Sequence, residues 1–151
     1  MTIEERIKAN KQMTLPTRTV INLMYTSRQI EQTLDQFKEY DLTMPQYNVL
    51  RILRGQKNTP ANLSTIQERM IDKNSNTTRL VDKLIDKGLV RRQQCESNRR
   101  KVEIFITEKG LELLTGLDPV TEQTNLDIVS NLDENELNTL NKLLDKLRKD
   151  E

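Results

Sequence analysis

The sequence predicts a mainly α-helical protein with one small β-hairpin, which places it in the α+β class. Apolar residues recur at helical spacing through most of the chain, while one stretch around residue 104 alternates with the two-residue period of a strand. Of the 151 residues, 34% are hydrophobic and 31% are charged. Because that apolar share is low for a self-sufficient monomer, we expect long helices that share an interface with a second copy.

Two helices are predicted in the first third of the chain. A long helix over 16–39 begins near Pro16, whose fixed backbone angle suits a first helical turn. Thr43 is placed to cap a second helix, which has Pro45 in its first turn and ends at Gly55. The predicted buried stripe of this second helix consists of Tyr47, Leu50 and Leu53.

Two shorter helices are predicted after a turn at residues 58–60. Asn62 is a candidate cap for a helix that runs to Met70, with Leu63 and Ile66 on the same face. The next helix closes at Lys87 and at the stop glycine Gly88. Its predicted apolar stripe consists of Thr77, Leu80, Val81, Leu84 and Ile85.

A hairpin and two further helices complete the predicted order of elements. Residues 102–107 alternate apolar and polar side chains, residues 89–93 are the expected antiparallel partner, and the polar segment 94–100 is an exposed tip. A helix capped by Thr107 follows, and Asp118-Pro119 is expected to kink or interrupt it. Asp133 caps a last helix, whose apolar seam for packing against another helix is Leu137, Leu140, Leu144 and Leu147.

The composition excludes most catalytic and metal chemistry. With no histidine and a single cysteine, Cys95, the chain lacks the parts of a Ser-His-Asp or Cys-His centre and of the usual zinc site. We therefore expect no enzyme activity, no metal and no cofactor. A lone cysteine indicates a reducing compartment, and no stretch resembles a signal peptide or a membrane span, so we expect a soluble cytoplasmic protein with no membrane partner.

The charges are unevenly distributed, although the net charge is only +1. Residues 69–110 carry 11 basic and 6 acidic side chains, a balance of +5, whereas residues 111–151 carry 4 and 10, a balance of −6. A basic segment within one supersecondary unit is typical of contact with phosphates. A randomly mottled surface is the alternative.

Short helices followed by a hairpin, between residues 43 and 107, predict a winged helix-turn-helix whose last helix enters the major groove of double-stranded DNA. Short polar side chains and an arginine open that helix, and such side chains pair with base edges. The same residues are also good helix caps, and a solvated basic face is common. The candidate DNA contacts on this helix are Asn74, Ser75, Asn76, Thr77, Thr78, Arg79 and Lys83.

The hairpin tip is the second predicted contact with DNA. Three consecutive cations follow Asn98, and a wing of this kind reaches phosphates or a narrow minor groove. Simple solubility is the alternative interpretation of a basic turn. The candidate wing contacts are Asn98, Arg99, Arg100 and Lys101.

The chain resembles the MarR family of winged-helix repressors over nearly its whole length. The matching stretches are LTMPQYNVL at 42–50, NTTRLVDKL at 76–84, DKGLVRR at 86–92, and 99–110, which ends in ITEKG. The resemblance implies one domain over 1–151. Within it, 43–107 would bind DNA, and 1–40 with 108–151 would form a dimerisation lobe.

The resemblance further implies a homodimer that binds a pseudo-palindromic operator, with DNA contacts at residues 74–79 and at Arg100. The family's wing usually carries Asp-x-Arg, where this chain has Asn98-Arg99-Arg100. A neutral amide holds an arginine less strongly than a carboxylate does, which puts positioning of the wing by that contact in doubt. A protein-interaction module that kept the winged fold and lost DNA binding is the alternative function.

Family members often bind small aromatic or phenolic effectors in a cleft between the dimer helices and the winged domain. The candidate residues for such a cleft are Tyr25, Arg28, Met44 and Tyr47, although a Tyr or Met at helical spacing is more often part of a core. Some relatives sense oxidants through a cysteine near the start of the first long helix. Cys95 lies at the wing instead, so that mechanism does not transfer by position.

Overall fold

A computed structural model of the protein describes residues 1–57 and 59–148. Residue 58, part of the turn predicted at 58–60, lies outside the described residues. In chain order, the elements are α1 (Ile3–Arg6), α2 (Leu15–Leu34), a 3-10 helix (Asp35–Tyr40), α3 (Met44–Gly55), α4 (Leu63–Arg69), α5 (Thr77–Asp86), β1 (Val90–Gln94), β2 (Val102–Ile106), α6 (Glu108–Val129) and α7 (Glu134–Leu147). The predicted fold class, mainly helical with one hairpin, is confirmed.

The chain divides into two compact units, and residues 1–44 form the first. In this unit, α1 is a single helical turn that begins with a capping box between Thr2 and Glu5. The guanidinium Nε of Arg18 on α2 lies 2.6 Å from a carboxylate oxygen of Glu4 on α1. The predicted helix over 16–39 is correct in its start but not in its end. The α-helix stops at Leu34 and a tighter 3-10 helix follows, which Asp41 ends in the left-handed conformation at φ 53°.

The second unit, residues 45–151, contains the three short helices and the hairpin. Asn62 caps α4, as predicted, and Asn76 caps α5, each accepting a hydrogen bond from a backbone N–H three residues on. The predicted apolar stripes supply much of the core. Fully buried residues of this unit include Val49, Leu50, Ile66, Val81, Leu84, Ile104, Leu114 and Leu117.

The two strands pair antiparallel, with Val90 opposite Ile106 and Gln94 opposite Val102. The predicted hairpin is therefore confirmed, with β1 shifted by one residue. Ile104 also exchanges backbone hydrogen bonds with Ala61, at 2.8 and 3.1 Å. This bridge, which no sequence pattern indicates, anchors the middle of β2 to the segment before α4.

Helix α6 runs without interruption through Pro119, so of the predicted kink or interruption at Asp118-Pro119, the interruption is wrong. Proline has no N–H for the carbonyl of Thr115, but contacts on either side of it hold the helix to α3. Two guanidinium nitrogens of Arg54 donate to Asp118, at 2.8 and 2.9 Å, and the hydroxyls of Tyr47 and Thr121 lie 2.9 Å apart. The hydrogen bond to Asp118 raises the pKa of Arg54 above its ordinary value.

The end of α5 is fastened to the start of α6. Gly88 adopts the left-handed conformation at φ 72°, and its carbonyl accepts a 2.7 Å hydrogen bond from the hydroxyl of Thr107. Lys109 donates to the carbonyl of Lys87 at 2.9 Å. Gly110 lies so close to the carbonyl of Leu89 that a Cβ there would be 2.4 Å from the oxygen. The TEKG stretch, residues 107–110, thus forms a close contact between the start of α6 and the segment that follows α5.

Candidate nucleic-acid interface

Helix α5 presents the predicted basic face to solvent. Asn76, Arg79, Lys83 and Asp86 are all exposed, while Val81 and Leu84, which face inward, are completely buried. The Asn76 side-chain oxygen accepts from the Arg79 N–H at 3.1 Å, and its amide nitrogen is not used in that bond. The start of this helix also carries the positive end of the helix dipole, which favours an anion such as a phosphate.

The seven candidate contacts at this helix do not all have the same environment. Asn74, Asn76, Thr78, Arg79 and Lys83 are exposed. Thr77 is only 6% exposed and its hydroxyl donates to Gln67, because the helical stripe to which it also belongs turns it inward. Ser75 is half-buried, and its hydroxyl oxygen is buried without a hydrogen-bond partner in the described part of the chain. Neither side chain is available to a base edge in this conformation.

The wing tip is held by hydrogen bonds within the turn. The N–H of Cys95 donates to the carbonyl of Lys101 at 3.0 Å, and the N–H of Lys101 donates to the carbonyl of Asn98 at 2.9 Å. The side-chain oxygen of Asn98 accepts from the backbone N–H of Arg100 at 3.1 Å. Asn98 therefore shapes the turn through the backbone of Arg100, while Arg99, Arg100 and Lys101 are all exposed.

Two arginines on β1 connect the wing to its surroundings. The Arg92 guanidinium lies 3.3 Å from the Asp82 carboxylate on α5. The Arg91 guanidinium carbon lies 4.1 Å from the ring centre of Phe105, its partner across the hairpin, which is a cation–π distance. Both contacts hold β1 side chains in place between α5 and the exposed cations of the wing tip.

A cleft of about 530 Å³ lies between α3 and α6. Tyr47 and Arg51 line it from α3, with the Arg51 guanidinium carbon 5.8 Å from the ring centre of Tyr47. Its other lining residues are Thr115, Asp118, Pro119, Thr121, Glu122 and Asn125. Of the four predicted effector residues, Tyr47 lines this cleft.

The other three predicted effector residues belong to the unit of residues 1–44. Tyr25 and Met44 are half-buried, and Arg28 is exposed and lies 2.8 Å from Glu31 on the same helix. Within the described residues, no cluster of His, Cys, Asp or Glu is arranged to hold a metal ion, and no helix is long and apolar enough to cross a membrane. Cys95 is half-buried, with its sulfur 3.1 Å from the hydroxyl of Ser97.

The turn between α4 and α5 is held by side chains that were not predicted from the sequence. The side-chain oxygen of Asn48 accepts from the N–H of Ile71 at 2.9 Å, and that of Asp72 accepts from the N–H of Asn74 at the same distance. Gln67 donates to the carbonyl of Lys73 at 2.8 Å. Asp72 near the head of a polar segment was a recognisable turn residue, but Asn48 and Gln67 lie within helices and carried no signal.

Three short helices followed by a basic two-stranded wing define a winged helix-turn-helix protein. Comparison with known proteins gives the family. The model of the MarR family matches residues 42–102. The crystal structure of a MarR transcription factor from Planctomyces limnophilus is 30% identical and superimposes with a TM-score of 0.69 over 89% of this chain and 98% of that one. This chain belongs to the MarR family, whose members are transcription regulators rather than enzymes.

Other relatives extend the comparison. The uncharacterized HTH-type transcriptional regulator YfiV of Bacillus subtilis (strain 168) is 34% identical to this chain over 84 residues. These residues are 56% of this chain and 51% of YfiV, so the match spans about half the length of that relative. A mutant of MarR from E. coli, in complex with operator DNA, shares the fold at 22% identity, with a TM-score of 0.75 over 89% of this chain and 95% of that one. BpsR of Bordetella bronchiseptica, whose DNA binding is regulated by 6-hydroxynicotinic acid, also shares it at 22% identity, with a TM-score of 0.75 over 86% and 98%.

Proposed function

We propose that this protein is a cytoplasmic transcriptional repressor that binds a pseudo-palindromic operator as a homodimer and leaves it when a small effector binds. Residues 43–107 form the DNA-binding lobe, and residues 1–40 with 108–151 form the dimerisation lobe. The observation that carries the proposal is the coincidence of an exposed polar and basic face at the start of α5 with an exposed run of three cations at the wing tip.

The two positive regions have different tasks in this proposal. Asn74, Asn76 and Thr78 are short side chains that approach base edges closely, and Arg79 grips a guanine or a phosphate. At the wing, Arg100 follows a turn that Asn98 shapes, and it contacts the minor groove or the phosphates beside it. Lys83, Arg99 and Lys101 add attraction to phosphates. In this scheme Thr77 supports the helix from inside through Gln67, and neither Thr77 nor Ser75 contacts a base.

Homodimerisation is supported by apolar surface at the terminal helices. On α2, Leu15, Val20 and Met24 are 73%, 55% and 65% exposed. On α7, Leu143 and Leu147 are 59% and 58% exposed, and Leu140 is 41% exposed. Surface of this kind on two long helices is typical of a contact with another chain. A second copy would also place two recognition helices roughly 34–36 Å apart, one turn of the duplex.

An effector is the part of the proposal that depends on the cleft between α3 and α6. The DNA binding of BpsR is regulated by 6-hydroxynicotinic acid, an aromatic hydroxy acid, and the cleft in this chain combines the ring of Tyr47 with the cation of Arg51. We propose a small aromatic or phenolic effector as the ligand. Tyr25, Arg28 and Met44 remain candidate contacts of the same class of ligand.

The experiment that tests the function is fluorescence anisotropy with duplex DNA from upstream of the gene that encodes this chain. A regulator binds one segment at least about a hundredfold more tightly than a scrambled duplex at matched salt, since ratios of about 10³–10⁷ are usual for specific binding. Equal affinity for both duplexes across a salt titration would contradict specific regulation and favour the protein-interaction module.

Light scattering at micromolar concentration tests the dimer. The double variant Leu143→Lys, Leu147→Lys replaces two exposed leucines with lysine. It is expected to shift a dimer toward monomer, since each change places a charge in an apolar contact. The matched control is Lys142→Leu on the same helix, which leaves those leucines intact. A wild-type protein that is monomeric under these conditions refutes this part of the proposal.

A further inference from the structure

We infer that Gln67 is a positioning residue for the recognition helix, α5. Gln67 holds this helix through the buried hydroxyl of Thr77 and through the backbone of the preceding turn. The inference rests on the proposed DNA-binding function, because it concerns how accurately α5 is presented to bases. Gln67 lies on α4, one helix upstream of the candidate base contacts, and is itself only half-buried.

Both ends of the Gln67 amide are used. Its nitrogen donates to the carbonyl of Lys73 at 2.8 Å, and its oxygen accepts from the hydroxyl of Thr77. A backbone carbonyl can only accept, so the nitrogen must face Lys73, and the oxygen is left for the hydroxyl. The chemistry of the two partners thus fixes the orientation of the amide.

The two hydrogen bonds lie on either side of Asn74 and Asn76, two of the residues that are proposed to contact DNA. Lys73 immediately precedes Asn74, and Thr77 is the first residue of α5, next to Asn76 and Thr78. Residues 71–75 belong to no helix or strand, so their backbone depends on turn contacts and on side chains from neighbouring helices. Gln67 therefore determines where the start of α5 lies relative to α4.

A second side chain acts in the same turn. The Asn48 oxygen, from α3, accepts from the N–H of Ile71 at 2.9 Å. Asp72 satisfies the N–H groups of Asn74 and Ser75 with its side chain and its carbonyl, at 2.9 and 3.2 Å. The turn is thus joined to α3 and α4, while Thr77 is the point at which α5 itself is attached to Gln67.

The Thr77 hydroxyl is the cleanest group to remove. Thr77 is 6% exposed, so Thr77→Val keeps its shape and its burial while it deletes the donor, and Thr77→Ser is the matched variant that keeps the hydroxyl. Gln67→Met keeps most of the side-chain length and loses both hydrogen bonds. None of these substitutions changes the net charge, so a difference in DNA affinity does not arise from phosphate attraction.

The experiment measures the affinity of each variant for the operator and for a scrambled duplex, at a temperature where circular dichroism shows every variant fully folded. Thr77→Val and Gln67→Met are each expected to lose about tenfold in operator affinity, on the scale of one buried hydrogen bond, and to change less than about twofold on scrambled DNA. Thr77→Ser stays near the wild type. Because the two residues share one of these hydrogen bonds, the double variant is expected to lose less than the product of the single losses.

A role confined to stability would lower the unfolding temperature and leave the ratio of operator to scrambled affinity unchanged. A ratio for Thr77→Val within about twofold of the wild type overturns the inference. If the wild type itself shows no preference for an operator, the proposed function fails, and amide hydrogen exchange then decides on Gln67 separately. Exchange of the Ile71, Asn74 and Ser75 amides is expected to quicken in Thr77→Val but not in Thr77→Ser, and unchanged exchange rejects the positioning role.

Discussion

Gly110 offers the sharpest test of how the winged lobe is joined to α6. A Cβ at this position would lie 2.4 Å from the carbonyl oxygen of Leu89 and 2.7 Å from Cγ1 of Ile106. The first of these neighbours is backbone, which cannot rotate away, so Gly110→Ala must displace either the segment at Leu89 or the start of α6. Overpacking of this kind costs about 1–3 kcal/mol, and here the upper part of that range applies.

Gly116 is the matched control, because it lies further along the same helix and has nothing within 4 Å of its Cβ position. Alanine in a helix is favoured over glycine by about 0.8–1 kcal/mol, so Gly116→Ala is expected to stabilise the protein by up to about 1 kcal/mol. Gly110→Ala gains at most the same amount and loses more, for a net destabilisation of about 1–2 kcal/mol.

Thermal unfolding of both variants, followed by circular dichroism at one protomer concentration, measures the difference. At about 2–4 °C per kcal/mol for a chain of this size, the two unfolding temperatures should differ by roughly 4–12 °C, with Gly110→Ala the lower. If Gly110→Ala is as stable as Gly116→Ala, the close approach of α6 to Leu89 is not present in solution.

Two further predictions concern the attachment of α6 to α3. Tyr47→Phe is expected to lower the free energy of unfolding, measured by urea denaturation, by about 1–2 kcal/mol. It removes the hydroxyl from a hydrogen bond whose partners, Tyr47 and Thr121, are only 4% and 8% exposed. A loss below about 0.3 kcal/mol would contradict this, and Thr139→Val, which removes an exposed hydroxyl on α7, is the control. A double-mutant cycle over Arg54→Ala and Asp118→Ala is expected to give a coupling free energy of unfolding under about 1 kcal/mol, since these side chains are 31% and 47% exposed. A coupling free energy above about 2 kcal/mol would show that the pair is far better shielded from water than these exposures indicate.

The elements that local chemistry dictates were predicted well from the sequence. Asn62 and Asp133 are caps in the structure because an amide or carboxylate oxygen three residues before a backbone N–H is a local arrangement. The hairpin follows from the two-residue period around Ile104. The single-turn α1 was missed although Thr2 and Glu5 have the spacing of a capping box, since no apolar stripe accompanies it.

The parts that failed depend on tertiary contacts. Pro119 is a helix breaker by local rules, yet α6 continues through it where Arg54 and Tyr47 on α3 contact its neighbours. Thr77 satisfied two patterns at once, as a polar residue at a helix start and as a member of the apolar stripe, and only its burial and its partner Gln67 show that it points inward. No local signal distinguishes these cases, because the deciding groups are distant in sequence.

The most direct test of DNA binding by α5 and the wing measures the affinity of the wild type, Arg79→Ala and Arg100→Ala for the operator and for a scrambled duplex across a salt titration. Lys142→Ala on α7 is the charge-matched control. Arg79→Ala is expected to cost about 1–3 kcal/mol on the operator and to relax the preference at particular bases. Arg100→Ala should weaken binding and reduce the slope of log affinity against log salt by about one. Unchanged affinity and slope in both arginine variants, or equal losses in Lys142→Ala, would contradict the assignment of these two surfaces to DNA.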